Sequence, residues 1–177
     1  MRIGDVLYFS PRYRFSDLDF GKSDVVAHAF QDRVEGFYFQ PAARLLQSGD
    51  AFAAGLVMCA GVEFIAAAWG KQEPEEWLKN NLQEFAIDAS LADQFWRNFR
   101  HGLAHEGRIK SFGQFSLELP EAVVRASDIV IVNPKLLLNA VTEAFRKQCA
   151  NASTGRRKVL AQNLRRYFDA EVKVANR

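Results

Sequence analysis

Nineteen consecutive residues, Ala51 to Trp69, are apolar on nearly every face and carry a single charge, Glu63. A helix that is hydrophobic all round must be covered all round, so this segment belongs at the centre of a helical bundle, with Asp50 as its N-cap. Its length approaches that of a bilayer span, but its Ala and Gly content and the internal carboxylate argue against a membrane role. Ala51, Gly55, Cys59 and Glu63 recur every four residues and share one stripe, on which three small side chains invite close approach of another helix. Glu63 ends that contact line and needs an arginine or several donors, which Arg97 or Arg100 could supply.

The remaining pattern gives helices before and after this one. Asp24 can cap a helix running past Val25, Ala29 and Val34 to Leu45 and Leu46, with a kink or break expected near Pro41. Pro74, Glu75 and Glu76 open another, with Trp77, Leu78, Leu82 and Phe85 as its apolar side. Ser90 with Asp93 resembles a capping box for the next, and Gly102 and Gly107 supply ending signals. Asn133 and Pro134 cap a helix from Lys135 to about Cys149, and a basic helix runs from Ser153 to about Val172.

Strand signals are short: Ile3 to Phe9, then Gln114 to Leu119 and Asp128 to Val132, the last two as a hairpin-like excursion. The fold class is mainly α, a helical bundle with a small β-hairpin excursion, and the 177 residues read as one domain. The loop Pro11 to Phe15 alternates aromatics and arginines, which suits anchoring of the N-terminus or stacking on bases.

Cys59 and Cys149 lie far apart in helical patterns, indicating reduced buried thiols and neither a disulfide framework nor a zinc cluster. The N-terminus lacks a secretory pattern, so a cytoplasmic location is expected. From Gly155 to Arg177 seven basic residues face two acidic ones, a local +5 within a total of +2, leaving −3 for the rest. That basic end is a solvated face or a contact for phosphate.

Chemistry concentrates in Phe99 to Lys110, FRHGLAHEGRIK, which holds two of the three histidines. Histidine titrates nearest neutrality, and a guanidinium is a permanent cation with a planar donor fork, so Arg100, His101 and His105 suit proton transfer at a phosphate. On an ideal helix Ala92, Phe95, Trp96, Phe99 and Leu103 form the core face, and Arg97, His101 and Ala104 the opposite one, with Arg100 at its border. Arg100 and His105 fall about 140° apart, so their convergence requires fraying near Gly102 or a broad cleft. His101 and His105 share a face as metal-binding pairs do, but no third ligand stands at a metal-site spacing, and no metal is assigned. The flanking cations Arg97, Arg108 and Lys110 are candidate substrate-binding groups.

At these residues the chain resembles the HEPN superfamily of helical domains, which includes many prokaryotic ribonucleases. Its signature is an arginine, commonly followed by Asn, Asp or His, with four to six residues before a histidine; Arg100, His101 and His105 fit it with four. The looser helical likeness covers about Asp24 to His105 and resumes from Pro134 to the end, while the strands after Lys110 depart from it. The resemblance implies metal-independent RNA cleavage without a cofactor, in which the ribose 2′-hydroxyl attacks the adjacent phosphate. His105 would be general acid or base, Arg100 would stabilise the transition state, His101 would orient substrate, and Glu63 would support the site. It further implies a homodimer with a composite cleft, RNA as substrate and, for a toxin or defence enzyme, an antitoxin partner. The alternatives are a catalytically silent helical module that binds RNA, a nucleotide or a partner protein, and a structural dimer with an internal Arg100–Glu63 ion pair.

Overall fold

The central helix, α3 (Ala51–Gly70), buries Ala54, Gly55, Met58, Cys59, Gly61, Val62, Phe64, Ile65, Ala66 and Ala68 in a computed structural model that describes residues 1–70 and 72–175. Arg177, counted with the basic end, lies outside the described residues. Helix α3 packs against α2 (Gln40–Gln47), α7 (Pro134–Asn151) and α8 (Thr154–Tyr167), and α1 (Ser23–Val34) reaches it through Phe30, which meets Phe64 and Trp69. Its length and hydropathy would suit a membrane span, but here other helices of the same chain cover that apolar surface. The fold is the mainly helical bundle that the sequence pattern implies.

Of the kink or break expected near Pro41, a break is absent: a π turn, Glu35–Phe39, joins α1 to α2 without interruption. A proline ring collides with the carbonyl four residues back in an α-helix. Here the turn is widened, and the amide of Gln40 bonds to the carbonyl of Glu35, five residues back. Gly36 sits inside that turn because Pro11 presses on it: a Cβ there would lie 2.3 Å from the Pro11 ring. Asp24 stands in the first turn of α1, without capping it, and pairs with Arg157 at 2.9 Å.

Other boundaries shift for local reasons. Residues 3–9 form two short strands, β1 (Arg2–Ile3) and β2 (Val6–Leu7), antiparallel about Gly4, whose φ of +56° makes the turn. The helix begun by Pro74 divides into α4 (Pro74–Asn81) and α5 (Gln83–Ile87), with Leu82 extended between them. The cap of α6 (Ala89–Phe95) is Asp88, which accepts from the amides of Ser90 and Leu91, while Asp93 pairs with Lys79. The C-terminal helix likewise breaks at Phe168 into α8 and α9 (Asp169–Ala175).

The β element has three strands in the order β3-β5-β4. The hairpin joins β4 (Val123–Ala126) to β5 (Ile129–Val132) through Ser127, and β3 (Gln114–Phe115) runs parallel to β5. Asn133 ends the sheet and caps α7 by accepting from Lys135 and Leu136.

The N-terminal loop is anchored, not splayed. Arg12 Nε donates to Asp32 at 2.7 Å, and the Ser10 hydroxyl donates to the same carboxylate. Next to Asp32, Arg33 inserts its guanidinium among the rings of Phe9, Phe37, Phe64 and Phe168, with its centre 4.6 to 5.4 Å from their centroids. It also donates to the Phe9 carbonyl, and its pKa is lowered by burial. This cation–π cage ties the N-terminal loop, α3 and the C-terminal helices together.

Candidate functional site

The motif segment, Trp96–Glu106, continues α6 without interruption but in π register. Its inner face is fixed by aromatic packing: Phe95 against Phe85 at 5.6 Å, Phe99 against Phe95 at 5.3 Å, and Phe115 against Phe99 at 5.2 Å. Gly107, at φ +65°, ends it and bonds back to Gly102, five residues earlier. Gly102 itself is no ending signal. It is buried where the chain folds back over the helix, and a Cβ there would lie 2.3 Å from the Arg108 carbonyl oxygen. The return is fixed by two more bonds, Arg108 N–H to Gly102 O at 3.1 Å and Lys110 N–H to Asn98 O at 2.9 Å.

The π register decides the site. In an α-helix residues five apart are splayed by about 140°, and the wider π turn with its i→i+5 bonding narrows that angle. Arg100 Nη1 accordingly donates to His105 Nε2 at 2.7 Å. Arginine has no acceptor, so Nε2 carries the lone pair and the proton of the neutral ring sits on Nδ1. From the same guanidinium, Nη2 reaches both Glu63 oxygens, at 2.8 and 2.9 Å. Of the two arginines eligible to answer Glu63, Arg100 does so, and the side chains of Arg100 and Glu63 are 19% and 46% exposed. Glu63, Arg100 and His105 thus form one hydrogen-bonded chain from the central helix to the surface. Nε–H and one Nη1–H of Arg100 make no hydrogen bond among the described residues.

His101 and His105 are exposed, with ring centroids 5.8 Å apart. Arg97 is exposed as well. Arg108 pairs with Glu106 at 3.0 Å, and Lys110 pairs with the same carboxylate. That pairing holds the Glu106 carboxyl below its usual range, the Lys110 hydrogen bond being the main cause. His105 thus stands in solvent at the end of a half-buried Arg100, and surface cavities of 380 to 530 Å³ elsewhere on the described residues are lined by other side chains. Cys59, one turn from Glu63, is no nucleophile: burial pushes its thiol up to about 12.

The small-residue stripe on α3 is covered within the chain. Gly55 lies beneath Phe115 and Leu103, and an added Cβ would come within 2.6 Å of the Phe115 ring. Close approach along that stripe brings the motif segment to Glu63.

No family model, curated relative or solved structure matches this chain.

What the sequence did not disclose is the register. The apolar positions Phe95, Phe99 and Leu103 fit an ordinary helix, and the one available signal was the pair Gly102 and Gly107, where a return crossing and a left-handed cap are needed.

Proposed function

We propose that this chain is a metal-independent endoribonuclease of the toxin or defence type, acting in the cytoplasm through Arg100 and His105. The observation that carries the reading is the 2.7 Å contact between the half-buried Arg100 guanidinium and Nε2 of the exposed His105. The resemblance to HEPN ribonucleases at Arg100, His101 and His105 agrees with it. A phosphate arriving at Arg100 competes for Nη1–H and frees the Nε2 lone pair beside the substrate. The ribose 2′-hydroxyl gives up its proton as its oxygen attacks phosphorus and the departing 5′-oxygen gains one, with His105 serving as general base or general acid for one of these transfers and water for the other. Arg100 stabilises charge on the phosphorane-like transition state, and Glu63 holds the guanidinium in place. His101 orients substrate, Arg97, Arg108 and Lys110 meet flanking phosphates, and a second copy supplies the other wall of the cleft. An antitoxin would act by covering the same face.

The Glu63–Arg100 pair, in which Nη2 donates to both carboxylate oxygens, favours one other reading, in which the arginine ties the motif segment to α3 and the module binds RNA, a nucleotide or a protein without cleaving. Incubating the purified protein with a mixed RNA pool in EDTA separates the two. The ribonuclease yields fragments with 2′,3′-cyclic phosphate ends; intact RNA, or cleavage that requires added metal, rejects it.

A further inference from the structure

Phe112 is 84% exposed, more than any other large apolar side chain among the described residues. Every other aromatic near the motif segment is buried or half-buried: Phe95, Phe99 and Trp96 belong to the core, and Phe115 packs against it. The backbone under Phe112 is also unusual. Gly113 N–H bonds to Lys110 O at 2.9 Å, and the two residues between, Ser111 and Phe112, have φ of +50° and +57°. That is the geometry of a turn normally built from Asn and Gly, because side chains with a Cβ are strained there. A bulky ring in this conformation gains nothing from burial, so neither local propensity nor core packing accounts for it.

The turn does not swing freely. Lys110 is bonded to the Asn98 carbonyl of the motif segment, and Gly113 is pressed on Ile109 and Phe99, where an added Cβ would lie 2.8 and 3.1 Å away. The backbone that carries the ring is therefore anchored to the same segment that carries Arg100 and His105. Arg108, with a side chain 69% exposed, and Lys110 stand just before it in the chain.

We infer that Phe112 is a stacking platform for an unpaired nucleobase of single-stranded RNA, with Arg108 and Lys110 at the adjoining phosphates. An exposed aromatic on an anchored turn, next in the chain to two cations that share the Glu106 carboxylate, suits sequence-tolerant binding of single strands, since every base presents a π face. The inference rests on RNA being the ligand of the motif surface, and it adds a residue that sets where along the strand the substrate sits.

The test is binding of a fluorescent 2′-O-methyl oligoadenylate, which cannot be cleaved by attack of its own 2′-hydroxyl, and of an abasic oligomer of equal length. Phe112→Gly removes the ring and relieves the positive φ, so it should not lower the melting temperature. It should weaken oligoadenylate binding about 10-fold and leave abasic binding unchanged, while Phe112→Trp retains wild-type affinity. Unchanged oligoadenylate affinity in Phe112→Gly, or equal losses for both oligomers, overturns the inference. Conversion of a dimer to a monomer by Phe112→Gly with no change in affinity also overturns it, and assigns the ring to a second copy. Cleavage is scored separately: ring-dependent binding without cleavage leaves the platform standing and removes the ribonuclease, and the reverse result does the opposite.

Discussion

Arg100 sits at the junction of three demands: countercharge for Glu63, a donor for His105, and remaining N–H groups for an anion. Arginine meets all three because its fork offers five donors in a fixed plane, which a lysine ammonium cannot reproduce. Glu63 enters an otherwise apolar helix, and a carboxylate in that setting needs a partner. Removing it would leave a guanidinium only 19% exposed without its anion. Glu63→Ala should therefore lower stability by about 1 to 2 kcal/mol, the range of hydrogen bonds to charged groups discounted for partial exposure. Urea denaturation measures this. A midpoint equal to that of wild type would mean that water supports Arg100 as well as Glu63 does.

At the level of elements, two π turns position what matters, and neither leaves a hydrophobic period that differs clearly from an α-helix. Central helix α3, the Asn133 cap and the outward face of Arg97 and His101 were legible because burial and capping follow from residue type. The convergence of Arg100 and His105 was not, because an extra residue per turn is set by what packs outside the helix: Pro11 against Gly36, and the Arg108 carbonyl against Gly102. The parallel pairing of β3 with β5 was hidden for a similar reason, since two residues carry no directional signal.

Gly102→Ala tests the second crossing. Its Cβ meets backbone, which cannot rotate away, so the clash should outweigh the better helix propensity of alanine and destabilise by about 1 to 3 kcal/mol. A stabilised variant would show that the return crossing is loose.

The first π turn is tied to α7 by Glu35 and Arg146, with Nε–Oε1 and Nη2–Oε2 contacts of 3.0 and 2.8 Å. The Arg146 hydrogen bonds hold the Glu35 carboxyl below its ordinary range. A carboxylate whose folded pKa is depressed adds stability above its unfolded pKa of about 4.3 and loses it as pH falls through the folded value. Wild type should therefore exceed Glu35→Gln in urea midpoint at pH 7, and the difference should shrink below about pH 4. A difference independent of pH would contradict this assignment.

Across the whole molecule, the bundle covers the small-residue stripe of α3 internally and leaves the outer face of the motif segment, with Arg97, His101, Ala104 and His105, in water. Isologous pairing through that face would set two Arg100–His105 pairs across one cleft. Sedimentation at micromolar concentration should then show a dimer, and a monomer would leave the surface open and the composite cleft unsupported. The basic face of α8 is partly engaged, since Arg157 is held by Asp24 and Arg166 by Asn163, whereas Arg156, Lys158 and Arg165 are exposed.

Reactivity of the Arg100–His105 pair is read by single-turnover RNA cleavage in EDTA. His105→Ala should reduce the rate about 10² to 10⁴-fold with the melting temperature preserved, because its ring is exposed. Arg100→Lys should be comparably impaired despite keeping its charge. Wild-type rates in His105→Ala would contradict the account and leave Glu63, Arg100 and His105 as a brace between two helices.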